Sequence, residues 1–477
     1  MPGSSGWLPG LGNSRDRKAG LSVALAAICF GLIIGLTSFH YAAALMIMIV
    51  VAAAFILQPR LALYGTLILS PYFYVLSNYY STAQLGMSSL GFSIIDILIF
   101  AATAGVAFKI LATKEFPSLT AVDFVCLAWL GMSLVGLGYG LLSGYGAAFR
   151  SARGPLMFVL YFVAVHEINS RQRLHEVKNL LLLTSPLIGI TGILGSTGYL
   201  TAYFPKLTVG LVGGILTRPN FFAEPALAIP NIIFLIVVFK YLRPKSLIGK
   251  AVLLIGLILN CALLMLSVTR GFWLGLIAAF MTLLFLLYKE RKIRLSGIFS
   301  VVVMVLAAIF LIQWAASGLL HVNLINASFD RVLMLFTGGD PNSAGYRIDE
   351  FMAYLGMFIK SPAFGMGFGS PVLIGFQISD GFAHDEYIWI LETVGLLGFT
   401  LVGSFFVLLF RHAMQNIKAR LQIGIMEVFE FTFLAVVIGY AVVSITSPEM
   451  TNPATVPALA VLAAAVRNRD LINSGPE

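Results

Sequence analysis

The sequence predicts an all-α, polytopic helical membrane protein with about 12–14 transmembrane helices, since apolar runs near 20 residues recur along almost its whole length. Two further observations support that class. Of 477 residues, 59% are hydrophobic and 11% charged, where a soluble domain carries roughly 25% charged residues. The runs are continuous, whereas a transmembrane barrel shows alternating segments of about ten residues.

Taken in order, the apolar runs place spans near residues 19–38, 40–58, 61–78, 91–112, 119–143, 154–168, 177–196, 225–242, 248–267, 271–288, 296–316, 387–410, 426–446 and 455–467. Setting aside short runs such as 154–168 and 455–467 lowers the count from about fourteen to about twelve. No Pro/Gly/Ser-rich linker divides the chain, so residues 1–477 read as one integral-membrane domain, with residues 317–386 as a large loop within it. Met1–Lys18 is polar and Gly/Ser-rich. The run after it lacks a small-residue cleavage site, which predicts a retained first span rather than a removed signal peptide.

Orientation follows from the basic residues. With a cytoplasmic N-terminus and strict alternation, the inner segments hold Arg15, Arg17 and Lys18, then Arg60, Lys109 and Lys114, Arg171, Arg173 and Lys178. Further along they hold Lys240–Lys250, Lys289–Arg294, Arg411–Arg420, Arg467 and Arg469. Positive residues gather in cytoplasmic loops, so both termini are expected in the cytoplasm. Only Arg150, Arg153, Lys206, Arg218, Arg270, Arg331, Arg347 and Lys360 remain outside. Six of these eight are arginines, whose planar donor fork fits phosphate and carboxylate in bidentate fashion. The set points to an anionic, lipid-borne ligand; for any single one, snorkelling to lipid phosphate is the plain alternative.

The net charge of +9 is scattered through short loops, as expected of a membrane protein rather than a nucleic-acid binder. Cys29, Cys126 and Cys261 all sit inside apolar runs and suggest neither disulfide nor metal site. Asp96 and Asp123 lie near span ends, where an interfacial polar role is as plausible as a transport role.

The one long polar interval, Leu319–Leu397, contains Asn342–Glu350, Ser361–Gly369 and Phe382–Tyr387. His384 is the sharpest candidate in it. It adjoins Asp385 and Glu386 at the head of an outer span, and histidine readily takes a proton near neutral pH. Three consecutive residues on one helix cannot all face one ion, so no metal site is expected there. Gly365–Gly369 lacks the strand-then-helix context of a nucleotide loop and reads as a tight turn over the membrane face. Arg270 sits in Ser267–Gly271 between two apolar runs, where a charge is costly unless paired. Arg218 lies in Thr217–Pro225, before a helix start that Pro225 favours and whose free N–H groups would reinforce an anion site. Glu224 either orients an arginine or occupies that helix N-terminus.

Together these stretches resemble the bacterial O-antigen ligase and polymerase superfamily of integral-membrane glycosyltransferases. The resemblance rests on Arg218 in Arg-Pro-Asn-Phe-Phe-Ala-Glu-Pro, on the Leu-Ser-Val-Thr-Arg270-Gly-Phe-Trp hairpin, and on the outer loop with Tyr346-Arg347, Ser361-Pro362, Gly365-Met-Gly367, Ala383-His384-Asp-Glu-Tyr387 and Leu391–Gly398. It spans residues 145–450. It implies a GT-C-like fold and a glycan donor linked through diphosphate to a polyprenyl (undecaprenyl) lipid. Transfer would occur at the periplasmic face of the inner membrane, either to the lipid A core (ligase) or to another repeat unit (polymerase). On this reading His384, Arg218 and Arg270 are catalytic, with His384 the base and the arginines on the diphosphate. Arg347, Arg150, Arg153 and Glu224 are substrate-binding. No cofactor or metal is expected, the arginines standing where many soluble glycosyltransferases use a metal, and attack would invert the anomeric carbon. The interval 319–397 becomes a lid carrying His384. Asp385 departs from the asparagine of many relatives, and Phe-Ala-Glu224-Pro225 looks closer to the polymerases; the ligase reading is taken first because the family is defined around it. A flippase or exporter of lipid-linked glycan would also need outer arginines, but should line a deep cavity with charge, and the spans are nearly free of it. A structural or regulatory membrane protein is the other rival.

Overall fold

The computed structural model describes residues 53–74, 76, 93–114, 118–196, 211–212, 215–216, 223–242, 246–267, 269–289, 341–374, 377–379, 383–417 and 424–474. Among them, nine helices are long and apolar enough to cross a membrane, and the protein is an all-α polytopic membrane protein. The expected spans 19–38 and 296–316, and most of 40–58, lie outside the described residues.

The helices are α1 (Pro59–Leu69), α2 (Ile94–Thr113), α3 (Ala121–Leu142), α4 (Ala148–Leu156), α5 (Val159–Glu167) and α6 (Arg171–Ser196). They continue with α7 (Ala228–Val237), α8 (Leu247–Ser267), α9 (Arg270–Lys289), α10 (Pro341–Lys360), α11 (Glu386–Ile417), α12 (Ile425–Val443), α13 (Val456–Arg467) and α14 (Arg469–Ser474). Two antiparallel hairpins accompany them: β1 (Leu211–Val212) with β2 (Ile215–Leu216), and β3 (Val372–Ile374) with β4 (Gln377–Ser379).

Local chemistry sets the helix starts. Ser93 and Thr120 are N-caps of α2 and α3, and Asp96 and Asp123 complete capping boxes by accepting from the cap N–H groups at 2.6 and 2.7 Å. Each pair satisfies donors that the first helical turn leaves orphaned. The span expected at 154–168 begins earlier, because α4 and α5 form one element, 148–167, interrupted at Met157–Phe158 just after Pro155. A proline inside a helix removes one backbone bond and clashes with the preceding turn.

Packing is a bundle with α7 and α12 enclosed at its centre. α12 packs on α9 and α7, α8 on α6, α11 on α3, α13 on α5 and α2 on α1. Phe100, Leu111, Leu142, Leu183 and Phe285 point outward from spanning helices, as lipid-facing positions require. The ion pairs sort to two ends of the bundle. At one end are Arg60–Glu176 (3.3 Å), Lys109–Glu167 (3.3 Å), Arg467–Asp123 (2.9 Å) and Arg469 with Glu427 and Glu430. At the other are Arg153–Asp96 (3.2 Å) and His384–Glu350 (2.9 Å). These are the two sides to which alternation of the sequence assigns the same cations.

Two features of the polar interval differ from the sequence expectation. A 20-residue helix, α10, occupies Pro341–Lys360 and packs on α11. The turn that follows does not lie over the membrane face; it is wedged between α3 and α11. α11 is broken at Gly395, whose φ of 68° and ψ of −173° only glycine adopts readily. Met366 and Gly367 donate to the carbonyls of Glu392 (2.6 Å) and Thr393 (3.0 Å). In return Leu396 and Leu397 donate to the carbonyls of Pro362 (2.8 Å) and Ala363 (3.2 Å). Non-helical backbone among membrane helices persists where protein satisfies its polar groups, and here the turn does so on both sides of the break. Phe368 N–H also donates to Gly136 O at 3.1 Å. A Cβ on Gly140 would stand 2.2 Å from the Phe368 carbonyl oxygen, so the small residues of α3 are what admit the turn.

Candidate active site

The start of α11 fixes His384. Asp385 caps the helix, its Oδ1 accepting from Tyr387 N (2.9 Å) and Ile388 N (3.1 Å). Aspartate and asparagine are comparably good caps, so the departure from asparagine at 385 leaves this geometry intact. Burial raises the Asp385 carboxyl above its ordinary value, against the two backbone donors that lower it. Its carboxylate is therefore committed to the helix start rather than to the histidine.

Glu386 anchors the same turn from below. Its buried carboxyl accepts from Ser444 Oγ, Met450 N (2.9 Å), Thr451 N (2.6 Å) and Thr451 Oγ1 (2.5 Å). Its own N–H donates to Ser444 O at 2.8 Å. The segment 444–451 thus holds the head of α11 rigidly.

The partner of His384 comes from α10. Glu350 is buried, and its carboxylate meets His384 three times: Nδ1 at 2.9 and 3.1 Å and the backbone N–H at 3.1 Å. The ring of Tyr346, one helical turn before Glu350, meets the imidazole edge-on at 6.1 Å and 88°. The His384 side chain is 41% exposed, and among the described residues nothing is hydrogen-bonded to Nε2. A half-exposed imidazole with one nitrogen held by a buried carboxylate can accept a proton at the other.

The predicted arginines divide. Arg270 is the first residue of α9, with Phe272 N and Trp273 N donating back to Thr269 O at 3.1 and 3.4 Å. The next residue, Gly271, lies against Thr446; a Cβ there would come within 2.0 Å of Thr446 Oγ1. The heads of α9 and α11 therefore lean on one segment, 444–451, which brings the backbones of Arg270 and His384 to the same end of the bundle. Arg347 is exposed on α10, three residues before Glu350, and Arg150 is exposed on α4. Arg153 is buried, paired to Asp96 at 3.2 Å and stacked near Phe73 and Phe149; it ties α4 to α2. Glu224 accepts from Ala226 N (3.3 Å) as the cap of the turn Pro225–Leu227, and its N–H donates to Pro71 O (2.8 Å). The contact with Ala226 N is the helix-start role, one of the two the sequence left open for it. Arg218 lies outside the described residues.

Glu350 is the functional candidate that sequence reasoning passed over. It stands in the Asn342–Glu350 run, but its helix was not foreseen, and its partner is 34 residues away. The available signal was Tyr346, Glu350 and Tyr354 at four-residue spacing, one face of a helix. Among the described residues no three of His, Cys, Asp and Glu converge as metal ligands.

A third buried carboxyl, Glu449, lies in the segment that grips Glu386. It accepts from Ser447 Oγ (2.8 Å) and Asn452 Nδ2 (3.0 Å), and Asn452 Oδ1 accepts from the Tyr74 hydroxyl (3.2 Å). Burial, reinforced by the neighbouring Glu224 and Glu386, pushes it well above the usual carboxylate range.

Residues 255–403 match the family model described as O-antigen ligase. The matched stretch includes Arg270, Arg347, Glu350 and His384, the turn of 361–370 and the break at Gly395. No curated protein matches the chain.

Proposed function

We propose that this chain, which through residues 255–403 belongs to the O-antigen ligase and polymerase superfamily, is a membrane glycosyltransferase acting on a glycan carried by polyprenyl (undecaprenyl) diphosphate. The acceptor is a sugar hydroxyl, and in the first reading it belongs to the lipid A core. One observation carries the reading: the half-exposed His384, backed by a buried carboxylate, lies inside the matched stretch and at the end of the bundle where Arg270 begins α9.

In the proposed reaction, His384 Nε2 takes the proton of the acceptor hydroxyl as that oxygen bonds to the anomeric carbon. The bond from carbon to diphosphate oxygen breaks, and polyprenyl diphosphate leaves with the electron pair, inverting the centre. Arg218 and Arg270, supported by Arg347 and Arg150, neutralise the charge that grows on the leaving diphosphate, a contribution worth about 10²–10³-fold in kcat for a single well-placed donor. Arg153 supports them from behind by holding α4 in place, and Glu224 by fixing the turn that follows the Arg218 loop. The arginines take the part a metal plays in many soluble glycosyltransferases. The site faces the periplasm and both termini the cytoplasm, in keeping with the positive-inside distribution.

A second reading, repeat-unit polymerase with the same donor, is favoured by Phe-Ala-Glu224-Pro225. The surface glycan of a deletion strain separates the two. Core lipid with no attached polymer identifies a ligase; core lipid bearing a single repeat identifies a polymerase. Unchanged surface glycan in both the deletion and an Arg270→Ala strain contradicts both readings.

A further inference from the structure

We propose that Glu350 is the positioning residue of the base: its buried carboxylate holds His384 with the ring proton on Nδ1 and presents Nε2 to the acceptor hydroxyl. The inference rests on the reading of His384 as the base.

Three observations converge on it. A carboxylate oxygen accepts hydrogen bonds, so contacts of 2.9 and 3.1 Å to Nδ1 match the tautomer that carries its proton on that nitrogen and leaves Nε2 with its lone pair. The same carboxylate takes the His384 backbone N–H at 3.1 Å, which locks the ring relative to the chain as well as the tautomer. Glu350 is only 3% exposed, and its ion-pair partner among the described residues is His384. A buried carboxylate in that setting is best compensated by a charge that forms beside it, as the imidazolium does when Nε2 accepts the proton. The surroundings fit this division. Tyr346 meets the imidazole with ring-to-ring geometry, and Asp385 is occupied by the N–H groups of Tyr387 and Ile388. Neither competes for Nδ1.

Orientation and charge can be separated by substitution. Glutamine keeps the shape of Glu350 but carries no charge, and its amide can donate to Nδ1 and stabilise the wrong tautomer. The comparable change in a Ser-His-Asp triad lowers kcat by about 10⁴-fold. Glu350→Gln is expected to lower kcat about 10²–10⁴-fold while KM for the lipid-linked donor stays within about threefold, because the carboxylate acts on the base and not on the donor. Glu350→Asp keeps the charge on a shorter arm and should retain at least about tenfold more kcat than Glu350→Gln. A merely structural Glu350 gives the opposite order, since glutamine preserves packing and aspartate opens a gap.

The test uses the purified full-length protein with undecaprenyl-diphosphate-linked glycan extracted from the host and its lipid A core as acceptor. Thermal midpoints are measured on every variant, and Glu350→Gln is also combined with His384→Ala. In the His384→Ala background, Glu350→Gln should cost nothing further, because residues acting as a unit are not additive. Glu350→Gln with at least half the parental kcat, or with more activity than Glu350→Asp, overturns the inference while leaving His384 as base. Full transfer by His384→Ala alone removes the base itself, which is the failure of the function reading and not of the pairing. Should the glutamine variant not fold, the aspartate variant decides: loss of both kcat and thermal midpoint together marks Glu350 as structural.

Discussion

Two parts of one polar interval meet α11 only nine residues apart, and they use their polar groups in opposite directions. At its head, His384 is half exposed and faces outward, backed by Glu350. At its break, the turn of 361–370 is enclosed, and its backbone polar groups are spent on the carbonyls and N–H groups that Gly395 frees. The first part is built around a half-exposed side chain, the base of the proposed reaction. The second is built around the absence of side chains: Gly136, Gly140, Gly365, Gly367 and Gly395 each sit where a Cβ would collide. The comparison teaches that polarity in a membrane protein has two separate causes. One is chemistry, and the other is the need to satisfy backbone wherever a helix is interrupted.

The two parts should therefore fail differently. The largest effect is expected at the break. Gly395→Ala would place a Cβ 2.3 Å from the Ala363 carbonyl oxygen in a backbone conformation reserved for glycine. Strain of that kind alone costs about 1–3 kcal/mol, and the overlap adds to it. The expected outcome is loss of folded protein, or a fall of many degrees in thermal midpoint by fluorescence-detected size exclusion. A fully folded Gly395→Ala would show that the turn does not depend on the break.

Next comes Glu386, which couples the two parts to the rest of the bundle. Glu386→Ala leaves donors on Ser444, Met450 and Thr451 without their acceptor, and a buried donor left unsatisfied costs about 1–3 kcal/mol. Both midpoint and transfer should drop, because the anchor of the His384 helix is lost. Retained transfer in a destabilised Glu386→Ala protein would separate the anchor from the site.

A smaller, pH-dependent effect is expected at Glu449. Burial pushes its carboxyl well above the ordinary carboxylate range, so the folded protein holds a proton that the unfolded chain releases. The folded state binds more protons over that interval, and stability must fall as pH rises. Glu449→Gln removes this contribution. Thermal midpoints of parent and variant should diverge as pH rises above about 5, with the parent losing more on the alkaline side. Parallel curves would contradict a buried, proton-holding carboxyl. The smallest effect is expected at Asp385→Asn, which exchanges one good N-cap for another and should change stability by less than about 0.5 kcal/mol, with transfer preserved.

Much of the bundle was legible in the sequence because a bilayer imposes length and apolarity together. The runs at 225–242 and 248–267 coincide almost residue for residue with helices. What escaped was whatever depends on partners distant in sequence. α10 was hidden because its residues are mixed: Tyr346, Ile348 and Phe351 alternate with Arg347, Asp349 and Glu350, and no long apolar run marks it. Gly395 stood in a recognisable Gly-Leu-Leu-Gly stretch, yet the break becomes intelligible only with Pro362 and Ala363 opposite it. His384 was legible from its acidic neighbours, although those neighbours turn out to cap and anchor the helix. The carboxylate that holds the histidine is Glu350, from another helix. Arg153 looked like the other outer arginines until its burial against Asp96 set it apart.

The central claim is that the exposed end of the interval carries chemistry and the buried end carries stability. The most direct measurement is glycan transfer by purified His384→Ala, read beside its thermal midpoint. Loss of the base should lower transfer about 10²–10⁴-fold while the midpoint stays at the parental value. Transfer at the parental rate by a folded His384→Ala protein would contradict the account.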